Sequence, residues 1–347
     1  MLGYGFNERL AAQAASDPTL HAGRVLSQGK DMYRVAGEQG DMMAAVSGKF
    51  RFAAREAADY PAVGDFVLLD RATDENGNGV IHRVLPRKSV FVRKAAGTAN
   101  AEQVVAANID TVFLCMSLNN DFNLRRMERY LSIGWNSGAL PVVVLTKADL
   151  SEDVPARLCE VQSVAVGADV LVTTAMARDG YEQVKRYLSP GQTVAFIGSS
   201  GVGKSTLINR LLGAEVLDTN GLRNDDKGRH TTTRRELLLL PDGGMVIDTP
   251  GMRELGMWEA DEGIDKTFAD IEALFARCRF HDCSHTNEPG CAVKRAIGCG
   301  ELTEERWASY QKLKQEAAYA ADAAAYLAQK EQKCKDISKV NKTNKKR

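Results

Sequence analysis

No apolar run in the sequence comes near the roughly 20 residues that cross a bilayer. The longest, such as 111–116 and 142–145, are far shorter, so no membrane anchor is expected. The first 25 residues hold Asn7, Glu8, Arg9 and Gln13 where a secretory leader needs an unbroken apolar stretch, and a cytoplasmic chain is expected. Net charge is missing too. The 45 Lys and Arg balance 45 Asp and Glu, which on first reading argues against a polyanionic partner. A disulfide framework is equally absent: the seven cysteines are odd in number, and four of them (Cys278, Cys283, Cys291, Cys299) fall in one short window. Such clustering points to metal in a reducing compartment. No internal repeat is visible.

What is present is 347 residues, 44% hydrophobic and 26% charged, enough for two or three globular domains. Short alternating segments at 24–26, 33–35, 44–49, 65–70 and 80–84 are separated by Gly37, Gly40-Asp41, Gly64-Asp65 and Asn76-Gly77-Asn78-Gly79. Close spacing with turn signals predicts a small OB-like β-barrel over 1–93. Residues 94–106 open on a small, polar, Gly/Ala-rich stretch and read as a linker. Beyond Asn108, apolar strands at 111–117, 142–146, 170–173, 193–198, 236–240 and 245–248 alternate with helical patterns at 124–137, 181–188 and 204–212. That grammar predicts a mostly parallel sheet covered on both faces, over 107–260. Residues 261–329 read as a helical, Cys/His-rich domain in which Thr303, ahead of Glu304 and Glu305, starts a helix; 330–347 is a basic tail. The fold class is therefore multidomain α/β.

Gly198-Ser199-Ser200-Gly201-Val202-Gly203-Lys204-Ser205 matches G-x-x-x-x-G-K-[ST] at every fixed position, between an apolar strand and a helix. Its glycines let backbone N–H groups wrap phosphates, Lys204 reaches the β- and γ-phosphates, and the Ser205 hydroxyl suits Mg²⁺. Asp248-Thr249-Pro250-Gly251 ends another strand, where a Mg²⁺-coordinating acid (Asp248) and a γ-phosphate-sensing glycine (Gly251) belong. Thr146-Lys147-Ala148-Asp149 resembles the N/T-K-x-D element of GTPases. The Asp149 carboxylate accepts from guanine N1–H and N2–H₂, a donor pair that adenine lacks, so GTP is selected over ATP. Thr173-Thr174-Ala175 fits the weaker S/T-A element.

The order of these elements carries the most information. Residues 146–149 and 173–175 precede the P-loop, which precedes 248–251; a conventional small GTPase has the P-loop first and the guanine-specifying motif later, so this is a circular permutation. Rejoined termini leave the spatial site intact. Between P-loop and switch lies Lys227-Gly228-Arg229-His230-Thr231-Thr232-Thr233, where one of the three threonines, with Thr232 the first choice over Thr231 and Thr233, is expected to complete the Mg²⁺ shell in the GTP state. Position 252 is Met, which cannot orient water as a Gln would, so His230 is a candidate for that role. Cys278, Cys283, His285 and Cys291 offer three thiolates and an imidazole in fourteen residues, a standard closed set for one structural Zn²⁺; His281 and Cys299 are near alternatives.

Together these residues resemble the RsgA/YjeQ family of circularly permuted, small-ribosomal-subunit-dependent GTPases. The resemblance covers Pro61-x-Val63-Gly64-Asp65, Asn108-Ile109-Asp110, Arg129-Tyr130-Leu131, 146–149, the P-loop through Thr206, 228–233, 248–251 and 278–291. It implies a GTP hydrolase that binds the 30S subunit and its 16S rRNA, is stimulated there, acts late in maturation and leaves as the GDP form. It also implies a barrel and a zinc domain that touch rRNA, zinc on Cys278, Cys283, His285 and Cys291, Mg²⁺ with GTP, His230 as the water-positioning residue, and a monomer. Gly201 stands where some permuted relatives carry a potassium-associated Asn, so no potassium requirement is expected. An rRNA-binding scaffold whose nucleotide site only gates affinity is the alternative; a P-loop ATPase is disfavoured by Asp149.

Charge by region revises the first impression. Basic and acidic residues number 13 and 11 over 1–100, 16 and 20 over 101–260, 8 and 12 over 261–329, and 8 and 2 over 330–347. The neutral total is an acidic middle cancelled by a mildly basic barrel and a strongly basic tail able to neutralise phosphates.

Overall fold

The computed structural model describes residues 1–75, 77–94, 102–119, 121–177, 180–217, 236–248 and 261–321. It divides into a unit over Met1–Gly256 and a second over Met257–Arg347.

In the first unit, β1 (His21–Gln28), β2 (Tyr33–Ala36), β3 (Asp41–Val46), β4 (Phe66–Leu69) and β5 (Gly79–Val84) pair in the order β1-β2-β3-β5-β4, and β4 returns to β1. This closes a five-stranded barrel with β3 and β5 parallel, the OB-like arrangement expected. Val25, Val35, Val67, Leu69 and Ile81 fill it. Helix α1 (Glu8–Ala14) precedes the barrel, and α2 (Gly48–Ala53), capped by Ser47 Oγ accepting from Phe50 N at 3.0 Å, joins β3 to β4.

The hairpin β6 (Val90–Lys94) and β7 (Glu102–Ala107) comes next. Here the linker expected over 94–106 is corrected: residues 102–106 belong to a paired strand in which Val104, Val105 and Ala106 are buried. The Gly/Ala-rich opening suggests a linker, whereas the Val and Ala that follow it pack in a covered strand.

β8 (Thr111–Ser117), α3 (Leu124–Asn136), β9 (Leu140–Thr146), α4 (Val154–Val164), β10 (Asp169–Val172), α5 (Glu182–Lys185), β11 (Thr193–Ile197), α6 (Lys204–Leu212), β12 (Glu236–Leu239) and β13 (Met245–Asp248) follow. Their sheet order is β10-β9-β8-β11-β13-β12, parallel except for β12. Every residue of β8 and β11 is buried, as a two-sided parallel core requires. The helix expected over 181–188 is shorter, four residues long.

Barrel and sheet are also less separate than the sequence suggests. Ser27 of β1 pairs with Glu236 of β12, making the sheet continuous from barrel to β10. The fully buried Arg24 donates to Gly64 O (3.2 Å), Tyr4 O (2.6 Å), Asn108 O (3.2 Å) and Thr193 Oγ1 (2.8 Å), with its charge 4.7 Å over the Phe66 ring. Burial lowers its pKa to about 10, so the guanidinium remains charged at neutral pH. Gly64, with φ +91°, is required here, since a Cβ would lie 2.2 Å from Ala107 O and 3.0 Å from Ile247 Cδ1.

The second unit contains α7 (Asp261–Thr267), α8 (Ala269–Phe275), α9 (Ala292–Gly298) and α10 (Glu304–Ala321). Thr303 Oγ1 accepts from Arg306 N at 3.2 Å, confirming the expected helix start. Buried Arg306 forks onto Asp270 at 2.7 and 2.9 Å and lies over Phe268, pinning α10 to α8.

Candidate nucleotide site and metal cluster

β11 ends at Ile197, and the chain turns through 198–203 before α6 starts at Lys204. Gly201 and Gly203 take φ of +73° and +103°, the left-handed region that side chains resist. A Cβ at Gly198 would sit 2.6 Å from Cys115 O. The loop thus rests directly on β8, where burial pushes the Cys115 thiol up to about 12 and leaves it a packing group. Lys204 Nζ donates to Gly198 O and Ser199 O, both at 2.6 Å, along the inside of the turn. Ser200 lies in the loop, and Ser205 and Thr206 lie in the first turn of α6.

The segment that ends β9 is bonded to this loop despite lying some fifty residues upstream. Thr146 Oγ1 donates to Val202 O at 2.6 Å, and Lys147 Nζ donates to Gly201 O at 2.6 Å. Lys147 adopts φ +56°, and a 3₁₀ turn over Ala148–Leu150 follows. Thr174 Oγ1 donates to Asp149 Oδ1 at 2.5 Å while accepting from Met176 N at 3.1 Å. One hydroxyl therefore orients the carboxylate from the neighbouring β10 loop. Thr146, Lys147, Asp149, Thr174, Ala175, Gly203 and Thr206 surround one cavity of about 240 Å³. All seven were singled out in the sequence.

Leu150, Met176, Tyr181, Leu207 and Arg210 also line it, and sequence reasoning missed them. Met176 is 81% exposed at the rim; its position directly after Thr174-Ala175 was the available signal. Arg126 was missed as well. From α3 it donates to Ser199 Oγ at 2.7 Å and is held by Asp121 at 2.8 Å. Asp248 ends β13, the strand beside β11. His230, Thr232 and Gly251 lie outside the described residues.

In the second unit, the ligand atoms of Cys278, Cys283, His285 and Cys291 all lie within 4.8 Å of one another. His285 Nδ1 is 3.6 Å from both Cys278 Sγ and Cys291 Sγ. Bonds of ~2.3 Å to sulfur and ~2.0 Å to nitrogen in a tetrahedron put S and N about 3.5 Å apart, close to the 3.6 Å found, so the four donors fit a metal ion. Neither His281 nor Cys299 belongs to the group. His285 stacks on Phe275 with centroids 4.2 Å apart, and burial holds its pKa below the ordinary value, favouring the neutral ring that a metal needs. Ala292 N donates to Cys278 Sγ at 3.3 Å, an outer contact of the kind that orients a thiolate ligand.

A glycine loop on the central strand, the 146–149 segment two strands away on one side, and the Asp248 strand on the other define a class: a circularly permuted P-loop GTPase. The chain belongs to the RsgA GTPase family, whose model matches residues 84–258. It is 48% identical over 320 residues to the small ribosomal subunit biogenesis GTPase RsgA 2 of Lactiplantibacillus plantarum, covering 92% of this chain and 90% of that protein. Its identity to the small ribosomal subunit biogenesis GTPase RsgA of Methanosarcina acetivorans is 44%, over 91% of this chain and 85% of that one. Among solved structures, YjeQ from Thermotoga maritima superposes with a TM-score of 0.61 at 30% identity, covering 85% of this chain and 97% of the other. YloQ, a circularly permuted GTPase, shares the fold with a TM-score of 0.59 at 24% identity, over 84% and 93% of the two chains.

Proposed function

We propose that this GTPase acts in the biogenesis of the small ribosomal subunit, binding the 30S particle and its 16S rRNA as a monomer in the GTP form and leaving as the GDP form. The observation that supports the nucleotide half is the pair of bonds from Thr146 and Lys147 to Val202 O and Gly201 O, which ties the segment read as guanine-specifying to the phosphate loop. The names borne by the relatives carry the ribosomal half.

In this reading the P-loop amides of 198–206 hold the phosphates, with Lys204 exchanging its loop carbonyls for the β- and γ-oxygens. Asp149, aimed by Thr174, accepts from the guanine edge, while Lys147, Ala148 and Ala175 frame the base. Ser205, Asp248 and Thr232 are the residues that would hold Mg²⁺. The metal supplies neutralisation of charge on the β- and γ-phosphates. Gly201 and Gly251 would present N–H groups to the γ-phosphate, and His230 would position the attacking water for in-line displacement. Zn²⁺ on Cys278, Cys283, His285 and Cys291 would be structural, all four positions being filled by protein. A cytoplasmic location is the one that fits a ribosomal partner. No described helix is long and apolar enough to cross a membrane.

The test is co-sedimentation of the full chain with purified 30S subunits. Retention with a non-hydrolysable GTP analogue and release with GDP are expected. Equal retention with both would favour a scaffold without a GTP-driven cycle.

A further inference from the structure

The last turn of α6 reaches the far end of the cavity from the phosphate loop. Lys204 and Ser205 open this helix, and Arg210 lies in its last turn, about 9 Å further along the axis at ~1.5 Å per residue. There its Nη2 donates to Ala175 O at 3.2 Å, and both residues line the cavity. Arg210 is exposed and makes no ion pair among the described residues. A cation in a last turn also suits the carbonyl end of a helix, but that role needs no contact with a loop 35 positions away.

The loop that Arg210 holds is pinned peptide by peptide, except at one donor. Thr173 N donates to Leu145 O at 2.7 Å, and Thr174 N donates to Gly180 O at 3.1 Å. Glycine permits that close approach, since a Cβ on Gly180 would lie 2.3 Å from Thr174 O. Beyond Ala175, Met176 N donates to Thr174 Oγ1 at 3.1 Å. Ala175 O and Met176 N belong to one planar peptide unit, so Arg210 and Thr174 hold that plane at both of its polar ends. Within 173–176, only the Ala175 N–H donates to no group among the described residues. It lies between two fixed planes.

We propose that Arg210 is a positioning residue for base recognition: by holding Ala175 O, it aims the Ala175 N–H at the carbonyl oxygen on position 6 of guanine. Asp149, in the reading above, takes the donors N1–H and N2–H₂. The 6-oxygen is then the acceptor left on that side of the base, and it needs a donor from the protein. Adenine carries an amino group at position 6 and would meet the N–H donor to donor. Arg210 thereby adds a second discrimination to that of Asp149, and the inference rests on the guanine reading of that carboxylate.

The experiment compares three nucleotides on the full chain with Mg²⁺ near neutral pH, by competition against a fluorescent GDP analogue. They are GDP, IDP, which lacks the 2-amino group, and 6-thio-GDP, in which sulfur, a weaker acceptor, replaces the 6-oxygen. Wild type is expected to bind GDP more tightly than either. In Arg210→Ala and Arg210→Met the preference for GDP over 6-thio-GDP should fall about fivefold, the worth of one hydrogen bond. The preference over IDP, read by Asp149, should stay at the wild-type value. Arg210→Lys, which retains a donor for Ala175 O, should keep both. A general loosening of the pocket would lower both preferences together, and that result, or no change in either, overturns the proposal. Wild type that prefers GDP to IDP but not to 6-thio-GDP also overturns it and leaves the reading of Asp149 standing. No preference for GDP over IDP would remove that reading, and the proposal with it.

Discussion

Thr146 shows how one hydroxyl joins two motifs. It is buried, and its bond to Val202 O ties the 146–149 segment directly to the phosphate loop. Thr146→Val keeps the volume and removes the donor, leaving a carbonyl without that partner at a cost of about 1–3 kcal/mol. The GTP dissociation constant, measured with a fluorescent GTP analogue, should rise roughly tenfold, and Thr146→Ser should restore it. That these residues come together was legible in the sequence, because the motifs they belong to set residue types at fixed spacing. Arg126 was not: nothing local marks an arginine on α3 as a partner of Ser199, 73 positions away. Met176 and Arg210 were missed for a related reason, since cavity walls need shape more than a motif.

At the scale of elements, strands and helices of the sheet were readable because continuous apolar strands alternate with amphipathic helices, and β8, α6 and β13 fall where that pattern put them. The β6–β7 hairpin was hidden by the Ala/Gly-rich stretch 95–101 that lies between its strands in the sequence. The junction of barrel and sheet was hidden by sequence distance, because Arg24 reaches Asn108 and Thr193, 84 and 169 residues away. Arg24→Met should lower stability by about 3 kcal/mol, since several buried acceptors lose a charged donor. Hydrogen exchange of 21–28 and of 193–197 should quicken together; quickening of the barrel peptide alone would mean that the joint is not shared. In the second unit, a strong zinc chelator should expose the amides of 278–298 to exchange while leaving the affinity for GTP in the first unit unchanged. Unaltered protection after metal removal would show that the helices hold the knuckle without the ion.

For the whole molecule, the neutral net charge concealed a division of labour. An acidic centre contains the P-loop, the barrel is mildly basic, and the basic tail 330–347 lies outside the described residues. The permuted order places the barrel before the sheet and the metal-binding unit directly after the switch segment, so both ends of the GTPase chain lead into parts suited to a large partner. Control of hydrolysis by the small subunit is read most directly in the steady-state GTP turnover of the full chain alone, with 30S and with 50S subunits. A rise of at least about tenfold with 30S only, lost in Lys204→Ala, is expected; equal rates under all three conditions would rule such control out.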